Sequence, residues 1–547
     1  MSLRRLKILR LLMILTAGLV LCRVLWIGTD QTYAVSAGRQ TAKITELPHA
    51  RGNFYDRKGR LLTGYTREWY ALCIPGDASY ATLFPYVSYA EQVELYENRN
   101  ASGPFLVPVE QDLTAQGIPT YEGTRRYLPL PIAVHLLGYL NGEGQGVSGL
   151  EYAYDDILTA SSDEAVVSCI TSAQGRLLDG EAPTVTVQNR GTGEGVQLTL
   201  DADIQRLCEG VAGLSMPRGC ILVMDTQSGE VLACVSMPEY DPEDVSKSIR
   251  ADDTSLINRA FSAFSAGSVF KVVLAAAAYE NGLDWFTHEC AGSVEVAGQA
   301  YRCAQGRAHG EVNLRGALEQ SCNCYFVELG QVLGGSAVLQ EAEKFGFGQA
   351  CAVAPGLKSS AGLLPDGAAL DNLGQLALFS FGQGNLSATP LQITAMMNTI
   401  ASGGSYRPPR FVYGVVDEAL RLVIPLQVPE AQRVCREDTA QVLRDMLRSV
   451  VEEGIGQDAR PREGTAGGKT GTAQTGQFDS NGEELLNYWF SGFYPAEEPR
   501  YTITVLQDGV LEPETSSAEV FAHIADALHV WEQGGAAEAG GPAAKRS

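Results

Sequence analysis

Ser268 stands three residues before Lys271 in the stretch "NRAFSAFSAGSVFKVVLAAAAYENG" (258–282), and no other lysine of the chain follows a serine at that spacing. A serine hydroxyl is a poor nucleophile until a base removes its proton. A lysine is such a base only when neutral, which requires burial or a neighbouring cation. The apolar, alanine-rich run after Phe270 reads as a buried helix, with both residues at its start. The plainer reading of these four residues is an N-cap serine and a solvated lysine. The chemical reading needs partners elsewhere in the chain.

A second cation is supplied by "GGKTGTAQT" (467–475), where Lys469 opens a strand-like segment. Gly471 there lets a ligand backbone approach closely, and the hydroxyls of Thr470 and Thr472 suit an anionic group. Between the two lysines lies "LEQSCNCYFVELG" (318–330), with Ser321 and Asn323 two apart. Taken alone, this pair is a helix cap or turn, and Lys-Thr-Gly alone is a strand-end turn. On a regular α-helix residues i and i+2 lie about 200° apart, so both serve one cleft only if the helix breaks there. Cys322 would then point the other way, into packing, as an inert thiol.

The elements that must position these residues are legible in outline. "GCILVMDTQSGEVLACVSM" (219–237) reads as two strands joined by a polar turn with Gly229. Strand patterns return at "TAGGKTGTAQT", "YWFSGFYP" and "RYTITVLQDGV", with Asn481-Gly482 as the hairpin signal between the first two. The middle, from Ser268 to about Gly404, is helical in pattern. A last helix follows, with Val520, Ile524, Ala527, Leu528 and Trp531 on one face. Strands at both ends and helices between them predict one antiparallel sheet covered by helices, an α+β or three-layer domain. Residues 29–200 carry short strand-like segments and turns and no long amphipathic helix. The tail "GGAAEAGGPAAKRS" (534–547) is low in complexity and is expected to be disordered.

The 547 residues suffice for two or three domains, and the net charge of −23 argues against nucleic acid as a partner. Twelve cysteines are scattered without a C-x-x-C pair and only six histidines accompany them, so no metal site is expected. Cys290 and Cys303 flank one short loop, as either a disulfide or two unpaired small hydrophobes. At the N-terminus, Arg4, Arg5, Lys7 and Arg10 precede an apolar run from Leu11 to Ile27 that only Arg23 interrupts. That pattern predicts an uncleaved membrane anchor over 8–28, with residues 1–7 inside and the remainder outside. A cleavable signal peptide is the rival, since "AVSA" (34–37) offers small residues.

The ordered set S-x-x-K, S-x-N and K-T-G resembles that of the penicillin-binding proteins and serine β-lactamases. The flanks narrow the resemblance to class B penicillin-binding proteins. "NRAFSAFSAGSVFK" is similar to their nucleophile segment, with Ala266 where proline is usual. "SFGQGNLSATPLQITAMMNTIASGG", "NYWFSGFYP" and, upstream, "ARGNFYDRKGRLL" and "GVSGLEYAYDDIL" are similar as well. The resemblance covers nearly the whole chain, although the region before the catalytic domain is short for the class. It implies a pedestal, or dimerisation-like, domain over 29–200 and a transpeptidase domain over 201–533.

For function, the resemblance implies a peptidoglycan D,D-transpeptidase that needs no cofactor and is acylated by β-lactam antibiotics. Ser268 would be the nucleophile toward the D-Ala-D-Ala carbonyl of a stem peptide, and Lys271 its base. Ser321 would relay the proton, and Asn323 would hold the substrate amide. Lys469 would keep Lys271 deprotonated and place the substrate carboxylate with Thr470, Gly471 and Thr472. The N–H groups of Ser268 and Thr472 would form the oxyanion hole, at about 3 kcal/mol per donor. Enzymes of this kind commonly work beside a membrane glycan polymerase. Alternatives on the same fold are a D,D-carboxypeptidase and a non-catalytic β-lactam sensor. A class A β-lactamase is disfavoured, because no glutamate between Asn323 and Lys469 has asparagine four residues on.

Overall fold

The structure, a computed structural model, describes residues 3–29, 42–47, 51–64, 66–75, 77–101, 103–161, 164–170, 183–189, 191–251 and 254–539. Two compact units divide the chain. One comprises Met1–Arg51, Gly64–Arg126 and Ala160–Thr192, and the other Gly52–Thr63, Tyr127–Thr159 and Gly193–Ser547.

The first unit begins with helix α1 (Leu3–Thr29). Its segment Arg5–Ile27 has a mean hydropathy of 2.2 and is long and apolar enough to cross a membrane. The unit also holds two three-stranded antiparallel sheets. One has the order Phe105–Val109, Thr66–Cys73, Thr120–Arg125, and the other Ala42–Glu46, Glu164–Ile170, Thr184–Asn189. The small-peptide signal at 34–37 lies outside the described residues.

The second unit is built on five strands and the helices that cover them. In chain order these are α2 (Ala202–Ser215), β1 (Gly219–Asp225), β2 (Val231–Met237), α3 (Lys271–Glu280), α4 (Leu314–Glu319) and α5 (Asn323–Leu333). There follow α6 (Pro390–Ala401), α7 (Glu437–Glu452), β3 (Gly467–Phe478), β4 (Glu484–Tyr494), β5 (Tyr501–Val510) and α8 (Ser517–Ala539). The strands form one antiparallel sheet in the order β2-β1-β5-β4-β3. The β3–β4 hairpin turns where Asn481-Gly482 signals it, with Asp479 N–H bonded to Glu483 O at 2.9 Å.

Both faces of the sheet are covered, which is why β1 is apolar without alternation. Ile221, Val223, Ile503 and Val505 pack with Ile204 of α2 and with Val520, Phe521, Ile524 and Leu528 of α8. On the other face lies a larger core built from α3, α5, α6 and α7. Every residue of α6 is buried, as befits a helix surrounded by others. Its start is set by a capping box between Thr389 and Gln392 with Pro390 in the first turn. This is the predicted α+β, three-layer arrangement. The expected disordered tail differs in its first part: α8 continues to Ala539, and residues 540–547 lie outside the described residues.

The segment that leads to Ser268 is tied to the sheet by a buried ion pair. Arg259, with no solvent exposure, donates through Nε to Asp508 Oδ2 at 2.9 Å, and Arg218 reaches the same oxygen at 3.1 Å. The Arg259 amide donates to Ser236 Oγ at 3.1 Å. Removing one member of a buried pair leaves the other charge undercompensated. Arg259→Met is therefore expected to lower stability by about 3 kcal/mol, read as a lower urea midpoint at unchanged slope. A midpoint equal to that of the parent protein would show the pair to be dispensable.

Candidate active site

Ser268 lies inside a 3-10 turn (Gly267–Phe270) that runs directly into α3. It is not an N-cap: no side chain caps either element. The turn is held from three sides. Gly267 N–H donates to Gly382 O at 2.9 Å, Trp489 Nε1 donates to Ser265 O at 3.0 Å, and Phe264 pairs with Ala388. Gly267 has φ +59°, and a Cβ there would lie 2.7 Å from Thr472 O. At Gly471 a Cβ would lie 3.0 Å from Val269 Cγ1. Two glycines therefore let the serine turn lie against the edge strand β3.

Ser321 and Asn323 sit where the helical path breaks, as two residues sharing one cleft require. α4 ends at Glu319, Ser321 has a left-handed backbone (φ +50°), Cys322 is extended, and α5 begins at Asn323. The break is hydrogen-bonded, with Ser321 N–H to Leu318 O at 3.2 Å and Cys322 N–H to Ala317 O at 2.9 Å. It aims both residues at Lys271. Lys271 Nζ lies 2.8 Å from Ser321 O, 3.1 Å from Ser321 Oγ and 2.6 Å from Asn323 Oδ1. Asn323 is fixed in turn by Nδ2 donating to Arg302 O at 2.8 Å. Among the described residues, the half-buried Ser268 hydroxyl makes no hydrogen bond to this amine.

Cys322 is fully buried, its Sγ accepting from Tyr325 N–H at 3.4 Å. It is not an isolated packing thiol, since Cys303 Sγ is 3.7 Å away and is itself 3.5 Å from Cys324 Sγ and 3.7 Å from Cys290 Sγ. Cys290 and Cys303 are unbonded. Metal-ligating geometry exists among the described residues at Cys290, Cys303, His309 and Cys322.

Burial dominates the electrostatics. Lys271 has no exposure, and desolvation pushes its ammonium down to about 7, against the opposing pull of the thiols of Cys322, Cys303 and Cys324. Lys469 is equally buried and is pushed well below its ordinary value, first by desolvation and then by the charge of Lys271. Among the described residues its Nζ bonds only locally, to Thr470 O at 3.2 Å and Thr470 Oγ1 at 3.4 Å. The two buried amines disfavour charge on each other, and that repulsion acts on both. Lys271 has three oxygen partners from another element, whereas Lys469, among the described residues, has only those of Thr470. Thr470 is half-buried and Thr472 exposed.

The helix-flanked antiparallel sheet thus carries a serine turn, a buried lysine and, on its edge strand, a second buried lysine. Residues 219–526 match the penicillin binding protein transpeptidase domain family. Stage V sporulation protein D of Bacillus subtilis is 32% identical over 72% of this chain and 62% of its own length. Peptidoglycan D,D-transpeptidase FtsI of Escherichia coli K12 is 26% identical over 93% of this chain and 89% of its own. Penicillin binding protein 3 of Mycobacterium tuberculosis superposes with a TM-score of 0.64 at 27% identity, over 90% of this chain and 97% of that one. Its structure is also known with aztreonam and with ampicillin. The chain belongs to the class B penicillin-binding proteins. It spans 62%, 64% and 61% of the length of three curated relatives.

Sequence reasoning did not single out Trp489, Gly382 or Arg302. The stretches "SFGQGN" and "NYWFSGFYP" carried a family likeness but no role, since a backbone carbonyl or an indole N–H acquires its partner only in three dimensions. The lowered value of Lys271 sets a pH dependence. The base form is the neutral amine, so its fraction rises with pH through about 7. Acylation by a chromogenic β-lactam is expected to be about tenfold slower one pH unit below that value than on the plateau above it. The groups facing Lys271 are Lys469, Cys303, Cys322 and Cys324. A rate independent of pH across this range would remove Lys271 as the proton acceptor.

Proposed function

We propose that the chain is a peptidoglycan D,D-transpeptidase that works through an acyl-enzyme on Ser268. The observation that carries the reading is the buried Lys271 amine, one turn from Ser268 and hydrogen-bonded to both Ser321 and Asn323. A neutral lysine has two N–H donors and one lone pair. Ser321 O and Asn323 Oδ1 accept only, so they take the donors and leave the lone pair for a hydroxyl. That is the form able to take a proton from serine.

In the proposed cycle Ser268 Oγ attacks the carbonyl of the penultimate D-alanine of a stem peptide, and its proton passes to Lys271. Amide N–H groups of Ser268 and Thr472 hold the oxyanion, each donor worth about 3 kcal/mol. Ser321 Oγ, 3.1 Å from Lys271 Nζ, returns the proton to the leaving amine, and the C–N bond breaks to release D-alanine. The substrate carboxylate would lie beside Lys469 and the hydroxyls of Thr470 and Thr472. A negative charge there would restore the charge on Lys469, and that cation would in turn discharge Lys271. Asn323 would hold the substrate amide. An amine from a second stem peptide then attacks the ester, forming the cross-link and freeing Ser268. A β-lactam enters the same first step and stays as the acyl-enzyme.

The expected result is one covalent penicillin adduct per chain by intact mass, absent in Ser268→Ala. Labelling that survives the substitution would sink the mechanism. With lipid-linked substrate, D-alanine released one-for-one with cross-linked product marks a transpeptidase, whereas D-alanine released without cross-linked product marks a D,D-carboxypeptidase. A membrane glycan polymerase is a partner consistent with this role.

The basic flank of Arg5, Lys7 and Arg10 before the apolar segment supports an anchor with the N-terminus inside and the catalytic unit outside. Protease added to intact protoplasts should therefore digest the region after residue 28. A protected catalytic unit would refute that orientation.

A further inference from the structure

We propose that Cys290, Cys303, His309 and Cys322 form a zinc site that holds the Ser321–Asn323 turn in place. The four ligand atoms lie within 4.8 Å of one another. Cys290 Sγ is 3.7 Å from Cys303 Sγ and 3.4 Å from His309 Nδ1, and Cys303 Sγ is 3.7 Å from Cys322 Sγ. A tetrahedral zinc with bonds of about 2.3 Å to sulfur and about 2.0 Å to nitrogen sets S···S near 3.8 Å and S···N near 3.5 Å. The observed separations fit that tetrahedron, and they are far beyond a disulfide bond of about 2.05 Å.

The surroundings are those of bound thiolates. The amide of Gly292 donates to Cys290 Sγ at 3.4 Å, and the amide of Tyr325, in the first turn of α5, donates to Cys322 Sγ at the same distance. Cys290, Cys303 and Cys322 are buried, while His309 is half-buried and offers a way in. Three soft sulfurs and one imidazole in a closed tetrahedron select zinc over oxygen-seeking cations. On binding, the three thiols give their protons to solvent and the imidazole stays neutral, with no change of oxidation state.

The ligands come from three places in the chain. Cys290 ends a strand (Thr287–Cys290) paired with Gly310–Asn313, His309 immediately precedes that partner strand, and Cys303 follows a second hairpin. Cys322 is the residue between Ser321 and Asn323. Arg302, whose carbonyl fixes Asn323, is the residue before Cys303. Metal bonds to Cys303 and Cys322 would therefore hold both ends of the Arg302–Asn323 contact. That role rests on the proposed function above, whereas the presence of the metal does not.

Full-length protein purified under reducing conditions without added metal should carry about one zinc per chain by mass spectrometry of metals. Cys303→Ser and His309→Ala should lose it. Cys351→Ser, a thiol outside the cluster, should keep it. Ser268→Ala should also keep it while losing penicillin labelling, which separates failure of the site from failure of the mechanism. In case the ligand variants fold poorly, cobalt(II) exchanged into the parent protein should give the intense visible bands and thiolate charge-transfer band of tetrahedral thiolate coordination. Chelation should slow penicillin acylation by about tenfold, with recovery on adding zinc back. Metal-free protein with a disulfide among these cysteines, or cobalt bands of a six-coordinate ion, would overturn the site. Acylation unchanged after zinc removal would overturn its positioning role.

Discussion

Everything around the site depends on keeping one amine out of water. Lys271 is completely buried, and an ammonium in such a place is tolerated only if oxygen atoms surround it or if it gives up its proton. Both conditions are built in. Ser321 and Asn323 supply three oxygens, and burial brings the proton affinity down to the neutral range. A regular helix cannot supply those oxygens, because it would turn Asn323 away from Ser321. The left-handed backbone of Ser321 costs of order 1 kcal/mol or more, and it is held by the hydrogen bonds that end α4 and start α5.

The second constraint is the free edge of the sheet. An edge strand exposes backbone groups that ordinarily invite unwanted pairing. In this protein the edge strand β3 is covered along part of its length by the serine turn, and Gly267 and Gly471 make the approach close enough. Both lysines thereby reach one buried region, where burial disfavours a charge on either. Among the described residues, the acceptors that reach Lys469 come only from the adjacent Thr470.

The cysteine cluster joins the small hairpins before α4 to the same turn. Cys322 serves two structural roles there, as the N-cap of α5 and as a neighbour of three other thiols through Cys303. A residue lying between two side chains that bond Lys271 is thus tied to a different part of the chain.

What the sequence determined by itself was local or compositional. The five strands, the buried helix after Phe270 and the Asn481-Gly482 turn follow from periodicity and turn chemistry, and the break between Ser321 and Asn323 follows from helix geometry once both residues are required in one cleft. The ordered motifs named the residue types that meet. Tertiary structure alone decided three things. Ser268 lies within a 3-10 turn and not at a cap, because the close approach of β3 and the Gly382 carbonyl shape the backbone there. Both lysines are pushed below their ordinary value, because burial is set by distant segments that close over them. Four metal-ligating atoms converge although no paired spacing announces them, since Cys290, Cys303, His309 and Cys322 become neighbours only when the hairpins fold back onto the start of α5. Burial and convergence are sums over the whole fold, and no local pattern in the chain contains them.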